Sequence, residues 1–183
     1  MVSVTNFDQF TAYWKSLQAA VDGHLPAWSK FDPSKITAQL PYVYVLEHRS
    51  PKEMLVRLMG TALDEISGVP ITGLNYLEVC PPDDATLYIE ITKHVRAQPC
   101  ASMVVRDVTF ESGKNYTLSS LGFPMTDDHG VPTYSVGLML PNRQIKSDDM
   151  DNGGVAQSIL RSLIYIDIGF GVPEKQIKKP GSN

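Results

Sequence analysis

Phe7, Phe10, Trp14, Leu17 and Val21 recur at three- and four-residue steps, which places them on one stripe of a helix. Thr5 with Asp8 resembles a capping box at its start, and Gly23 ends it. Asp32 before Pro33 pairs an N-cap with a first helical turn, and Leu40-Pro41 stops that turn because the residue before proline is pushed out of the helical region. Tyr42 to Glu47 is β-branched and aromatic. The turn-rich His48 to Glu53 joins it to a second strand at Met54, which predicts a hairpin. Leu55, Val56, Leu58 and Met59 then surround Arg57, and Gly60 lets the backbone turn where a side chain would collide. Thr61 is expected to cap a very short helix with Asp64 at its positive end, and Gly68 supplies a left-handed stop before Val69-Pro70.

After Ile71-Thr72-Gly73, a turn around Asn75 and the breaker Cys80-Pro81-Pro82, one longer helix is predicted. It starts at Asp84, carries Leu87, Tyr88, Ile91 and Val95 on one stripe, and closes at Gln98-Pro99. Three strand-like runs follow: Ala101 to Glu111, Asn115 to Met125 and Thr133 to Leu140. Pro124 marks an edge or a bulge, and Tyr134, Val136, Leu138 and Leu140 share one face. Beyond a polar loop at Asp148 to Gly154, the residues Val155, Ile159, Leu160 and Leu163 suggest a helix, which gives way to extended chain at Ile164, Ile166 and Ile168. Residues from Glu174 onward are expected to be disordered.

Composition narrows the function classes. At 183 residues the chain fits one domain, large enough to bury about 70% of its unfolded surface without disulfide staples. The net charge of −4 and scattered basic residues, clustered only at Lys175, Lys178 and Lys179, leave no face for a nucleic acid. No apolar run reaches membrane-spanning length and no basic leader precedes a greasy stretch, so a cytoplasmic protein with no membrane partner is the reading. Cys80 and Cys100, each beside proline, make neither a disulfide framework nor a zinc set.

Two strands, short helices, one longer helix and three antiparallel strands is an order similar to that of a PAS domain. The local sequence adds to it. Leu40-Pro41-Tyr42-Val43 entering the first strand, Val56-Arg57-Leu58-Met59-Gly60-Thr61-Ala62-Leu63 leaving the second, and Gly68 followed by Ile71-Thr72-Gly73 resemble a family of short bacterial proteins built from a single PAS domain. There, an N-terminal helix with a tryptophan, here Trp14, leads through a segment like Phe31-Asp32-Pro33 into the first strand. The resemblance implies an α+β fold: a five-stranded antiparallel sheet with short helices on one face, plus the N-terminal amphipathic helix. The corresponding division is an N-terminal helical extension over 1–30, a PAS-like domain over 31–145, a C-terminal extension over 146–173 and a tail over 174–183. It further implies a sensory or regulatory role in signal transduction.

A light-sensing flavin domain carries a cysteine in an Asn-Cys-Arg-type motif after the second strand, and none is present. A haem-binding PAS domain takes its proximal histidine from the longer helix, where His94 lies, but a lone histidine beside Lys93 and Arg96 is more often solvated at the helix end. Cys80 or Cys100 with His94 and Asp83 or Asp84 can be drawn as a nucleophilic triad, although no signature surrounds either cysteine. Asp149, Asp151 and Gly153 imitate a calcium loop that fails at Leu160, and Gly169-Phe170-Gly171 has no following helix to hold phosphate. Arg57, read as sharing a face with Leu55 and Met59, needs a carboxylate, and Asp107 or Glu111 is the expected protein partner.

Three functions follow. The first is a non-enzymatic regulatory module that binds a signalling protein, as a homodimer through Phe7, Phe10, Trp14, Leu17 and Val21. The second is a sensor of a small-molecule ligand or a haem-type cofactor held between the sheet and Leu87, Tyr88 and Ile91, with Arg57 or His94 as polar anchor. The third is a small cysteine-dependent enzyme. No metal site is expected, and no cofactor is identified.

Overall fold

The computed structural model describes residues 5–142 and 155–174. The Asp148 to Gly154 loop with its calcium-like acids, the Lys175, Lys178 and Lys179 cluster and the tail beyond Glu174 lie outside these, as does the Thr5 capping side chain. Helix α1 (Thr5–Ala19) stops two residues short of Val21. A tight turn over Pro33–Ile36 follows, where Asp32 caps by accepting from the Ser34 amide. The hairpin β1 (Val43–Ser50) and β2 (Glu53–Met59) leads into α2 (Thr61–Ser67), α3 (Tyr76–Val79) and α4 (Pro82–Ala97). Strands β3 (Ala101–Phe110), β4 (Asn115–Thr126), β5 (Pro132–Pro141) and β6 (Val155–Ile166) complete one antiparallel sheet in the order β2-β1-β5-β4-β3-β6.

The sheet has six strands where five were expected, because residues 155–166 pair with β3 instead of coiling. Two bulges explain the false helical signal. Arg161 and Ala156 are extra residues in β6, falling between the pairs Val105↔Ser162 and Arg106↔Leu160 and between Thr109↔Gln157 and Phe110↔Val155. The residues facing the β3 interior are therefore Val155, Ser158, Leu160, Leu163 and Tyr165, and alternating steps of three and two imitate a helix.

Turn chemistry positions α2. A Cβ on Gly60 would collide with the carbonyl oxygens of Leu40 and Pro41, and the Gly60 amide donates to the Val43 carbonyl at 2.8 Å. Gly60 itself, not Thr61, is the N-cap, and no side chain caps the helix. Gly68, at φ 72°, ends it. Asn75 joins this segment to the hairpin: its Oδ1 accepts from the Met54 amide at 3.0 Å and its Nδ2 donates to the Lys52 carbonyl at 3.0 Å. At Pro124 β4 pairs only with β5, at Ser135, because its ladder with β3 ends at Gly122; the missing N–H faces no strand.

Each face of the sheet has its own core. On one, Trp14 stacks on Phe123 with centroids 4.7 Å apart, and Phe10 joins Val43, Val45, Val136 and Leu138. On the other, α2 packs Leu63 and Ile66 against Leu46, Val56 and Val108, while α4 packs Ile91 and Val95 against Val104 and Leu163.

Candidate functional site

Alternation in β3 turns Val104, Arg106, Val108 and Phe110 to the α4 side of the sheet. An arginine among such residues must be paired. Its Nη1 donates to Asp84 Oδ2 at 2.6 Å, and both residues are buried, each only 5% exposed. Asp84 stands in the first turn of α4, where its charge also complements the helix N-terminus. The guanidinium carbon lies 4.9 Å from the Tyr88 ring centroid, and Tyr88 meets Tyr76 edge to face at 5.1 Å. The remaining edge of the guanidinium is unanswered: among the described residues Nε and Nη2 have no hydrogen-bond partner.

That arginine forms part of the wall of a cavity of about 190 Å³. Leu63 and Ile66 of α2, Tyr76 of α3, Val108 and Phe110 of β3, Leu118 of β4 and Met139 of β5 supply its apolar surface. Burial raises the Tyr76 phenol well above its ordinary value, so it stays protonated and can donate. Val69, Leu74 and Val79, all exposed, form an apolar rim. Burial, with the Asp84 charge adding, pushes the Cys80 thiol in this wall up to about 11.

A second polar group lies in the seam between α4 and the sheet. His48 Nε2 is 2.8 Å from Ser135 Oγ, and its Nδ1 is 3.3 Å from Thr92 Oγ1. Burial, with Arg96 adding, lowers its pKa to about 4, so the imidazole is neutral at ordinary pH. The space here, lined also by Tyr44, Tyr88 and Ile91, is only about 30 Å³, close to the room one water needs.

The sequence-predicted site residues divide accordingly. Tyr88 and Ile91 face this narrow seam, and Leu87 packs beside Ile91 and Leu160. Arg57 stands apart from both spaces. It is the extra residue of a bulge in β2, between the pairs Val45↔Leu58 and Leu46↔Val56, so Leu55, opposite Glu47, and Met59, opposite Tyr44, fall on opposite faces and Arg57 cannot share a face with both. Its Nη1 lies 3.6 Å from Glu47 Oε2, so its partner is neither Asp107 nor Glu111; Asp107 pairs with Arg161 instead. His94 is half-buried, 3.9 Å from Glu90 Oε2 with its ring against Tyr165, and does not line the cavity. No hydrogen bond joins it to Cys80 or Cys100 among the described residues; burial, with Asp167 adding, pushes the Cys100 thiol up to about 11. Of the α1 stripe, Phe10 and Trp14 are spent on the protein's own core, at 0% and 1% exposure, while Phe7, Leu17 and Val21 remain half-buried.

Arg106 was absent from the sequence reading. The signal was available, because the alternation Val104, Arg106, Val108, Phe110 places an arginine on an apolar face, the same argument that was applied to Arg57.

A family model described as a PAS domain matches residues 2–140, and the chain belongs to the PAS family. No curated protein matches the sequence. Solved structures similar to it include a light-oxygen-voltage domain studied with a flavin analogue, 14% identical over 64% of this chain and 88% of that one, with a TM-score of 0.46. The Rhodobacter sphaeroides LOV protein is 14% identical over 60% of this chain and 62% of its own, with a TM-score of 0.43. VqmA bound to DPO is 14% identical over 61% of this chain and 57% of its own, at 0.48. The family is one of signal-sensing modules. No helix among the described residues is long and apolar enough to cross a membrane.

Proposed function

We propose that this PAS domain is a small-molecule sensor whose ligand occupies the cavity walled by Arg106 and covered by α2 and α3. One observation carries the reading: a cavity with room for a small molecule has a mainly apolar wall into which a buried ion pair, Arg106 with Asp84, is set. A concave, mostly apolar wall with a few fixed polar groups is the ordinary make-up of a small-molecule site. Asp84 ties the site to output, since a ligand that meets Arg106 changes the restraint on the first turn of α4. A signalling protein, or a second copy meeting α1 at Phe7, Leu17 and Val21, reads the change. No catalysis is assigned, because both thiols are held protonated and hence poor nucleophiles.

The residues do not fit a flavin or a haem. A cavity of about 190 Å³ is only slightly larger than one that holds a benzene ring, and His94 stands outside it.

Amide and methyl NMR of the whole chain, screened against small fragments, tests the reading. Shifts are expected to cluster at Leu63, Tyr76, Arg106 and Leu118. If every fragment leaves these residues unmoved, or moves only the α1 face, the cavity is not a ligand site.

A further inference from the structure

We propose that the groove between the β1–β2 turn and α4 is a second binding site, and that it takes an amphipathic carboxylate: an acidic head on an apolar body. The groove has a volume of about 520 Å³ and shares no lining residue with the cavity walled by Arg106, so each site can exist without the other. It is built on the second face of α4. Ile91 and Val95 pack toward the sheet, while Ile89, Lys93 and Arg96, at steps of four and three, form a separate stripe along the helix. Pro51 and Met54 of the hairpin and Leu77 of α3 add the apolar part of the wall.

The charges in that wall are of one sign. Lys93 and Arg96 line the groove and are exposed, neither has an ion-pair partner among the described residues, and no carboxylate lines it. The chain as a whole carries −4, so the groove reverses the sign locally and attracts an anion. A helix C-terminus favours basic residues, but it does not require them beside apolar surface without a counter-ion. Arg96 also acts inward: after burial, its charge is the further cause that keeps His48, in the same wall, from taking a proton. The two chemistries follow one another along the helix. Ile89 comes first and Arg96 seven residues later, about 10 Å along the axis. An apolar body against Ile89 and Leu77, with its acid at Lys93 and Arg96, answers both ends. Size favours a small molecule over a peptide. A volume of about 520 Å³ lies within the ordinary span of small-molecule sites, whereas about 10 Å is the reach of only about three residues of extended chain.

Four probes, titrated by amide and methyl NMR into the full chain, test the assignment: octanoate; octan-1-ol, with the same chain length and no charge; acetate, with the same head and no body; and hexaglutamate, a peptide acid. Octanoate is expected to shift Met54, Leu77, Ile89 and Thr92. It is expected to bind about fivefold more tightly than octan-1-ol and more than about tenfold more tightly than acetate. In the double variant Lys93→Gln, Arg96→Gln, octanoate is expected to lose that advantage over octan-1-ol. Octan-1-ol or acetate equal to octanoate in the wild type overturns the assignment, as does an octanoate affinity that the double variant leaves unchanged. Hexaglutamate binding more tightly than octanoate makes the groove a peptide surface and overturns it too. Shifts confined to Leu63, Tyr76 and Leu118 place octanoate in the Arg106 cavity, which overturns the groove and supports the cavity. No shift at millimolar octanoate overturns the groove and leaves the cavity to its own fragment screen. Both substituted positions are exposed, and unchanged Phe123 and Val136 resonances check that the double variant is folded; should it unfold, the wild-type ranking alone decides.

Discussion

The two faces of the sheet are filled by different chemistry. Against α1, the side chains of Phe10, Trp14, Phe123, Val136 and Leu138 close on one another, and no charged group among the described residues enters that core. Against α2 to α4, the same strands bury Arg106 and His48, and α4 adds Asp84; these are the three buried residues of charge-bearing or imidazole type among the described residues. The first face is held mainly by non-directional burial, although Trp14 Nε1 finds no hydrogen-bond partner there among the described residues. The second is held by polar groups that each require a particular partner, so its stability responds to what occupies it.

The sharpest way to break this comparison is at Trp14. Trp14→Ala is expected to destabilise the chain by about 4 kcal/mol, since a large ring with almost no exposed surface leaves a cavity that the sheet cannot close. Urea unfolding measures it, and a loss under about 1 kcal/mol would mean that α1 is an appendage and not a wall of the core. The next effect lies on the polar face. Arg106→Met leaves Asp84 buried without its partner and is expected to lose about 3 kcal/mol, whereas Arg106→Met with Asp84→Leu recovers most of it. If the double variant is as unstable as the single one, the pair does not act as a unit.

The smallest effect is a pH dependence. The unfolded His48 imidazole takes a proton near pH 6.5, the folded one only at about 4. Its contribution is therefore complete above pH 6.5 and is lost as pH falls towards 4, by about 2 kcal/mol at pH 5. Thermal melts from pH 7.5 to 5 would show the decline, and His48→Gln should flatten it. An unchanged slope in that variant would assign the acid sensitivity to other groups.

Much of the scaffold was legible in the sequence because it obeys simple periods. The runs that became β3, β4 and β5, the α4 stripe from Leu87 to Val95, and the Gly60 and Gly68 breaks came out within a few residues of their places. The failures of period have one common cause. At Arg57 and again through 155–166, a bulge inserts an extra residue, and period-two reasoning then puts a side chain on the wrong face or finds a helix where there is a strand. The candidate site was less legible, since its central contact joins Arg106 to Asp84 across 22 residues of sequence. Periodicity can say that an arginine faces inward; it cannot say which carboxylate comes to meet it.

Those same bulges bear on how the molecule avoids its own kind. Strands β2 and β6 are the two edges of the sheet; β6 carries a row of backbone groups that another extended chain could pair with, while on β2 the amides of Met54, Val56 and Met59 already donate to Asn75 Oδ1, the Leu74 carbonyl and Thr72 Oγ1. Each edge carries an arginine as the extra residue of a bulge, paired to a carboxylate of the neighbouring strand: Arg57 to Glu47 and Arg161 to Asp107. A kinked edge studded with a cation is a poor template for strand addition. Both borders of the sheet are thus closed to open-ended, fibre-like growth by the same small irregularity.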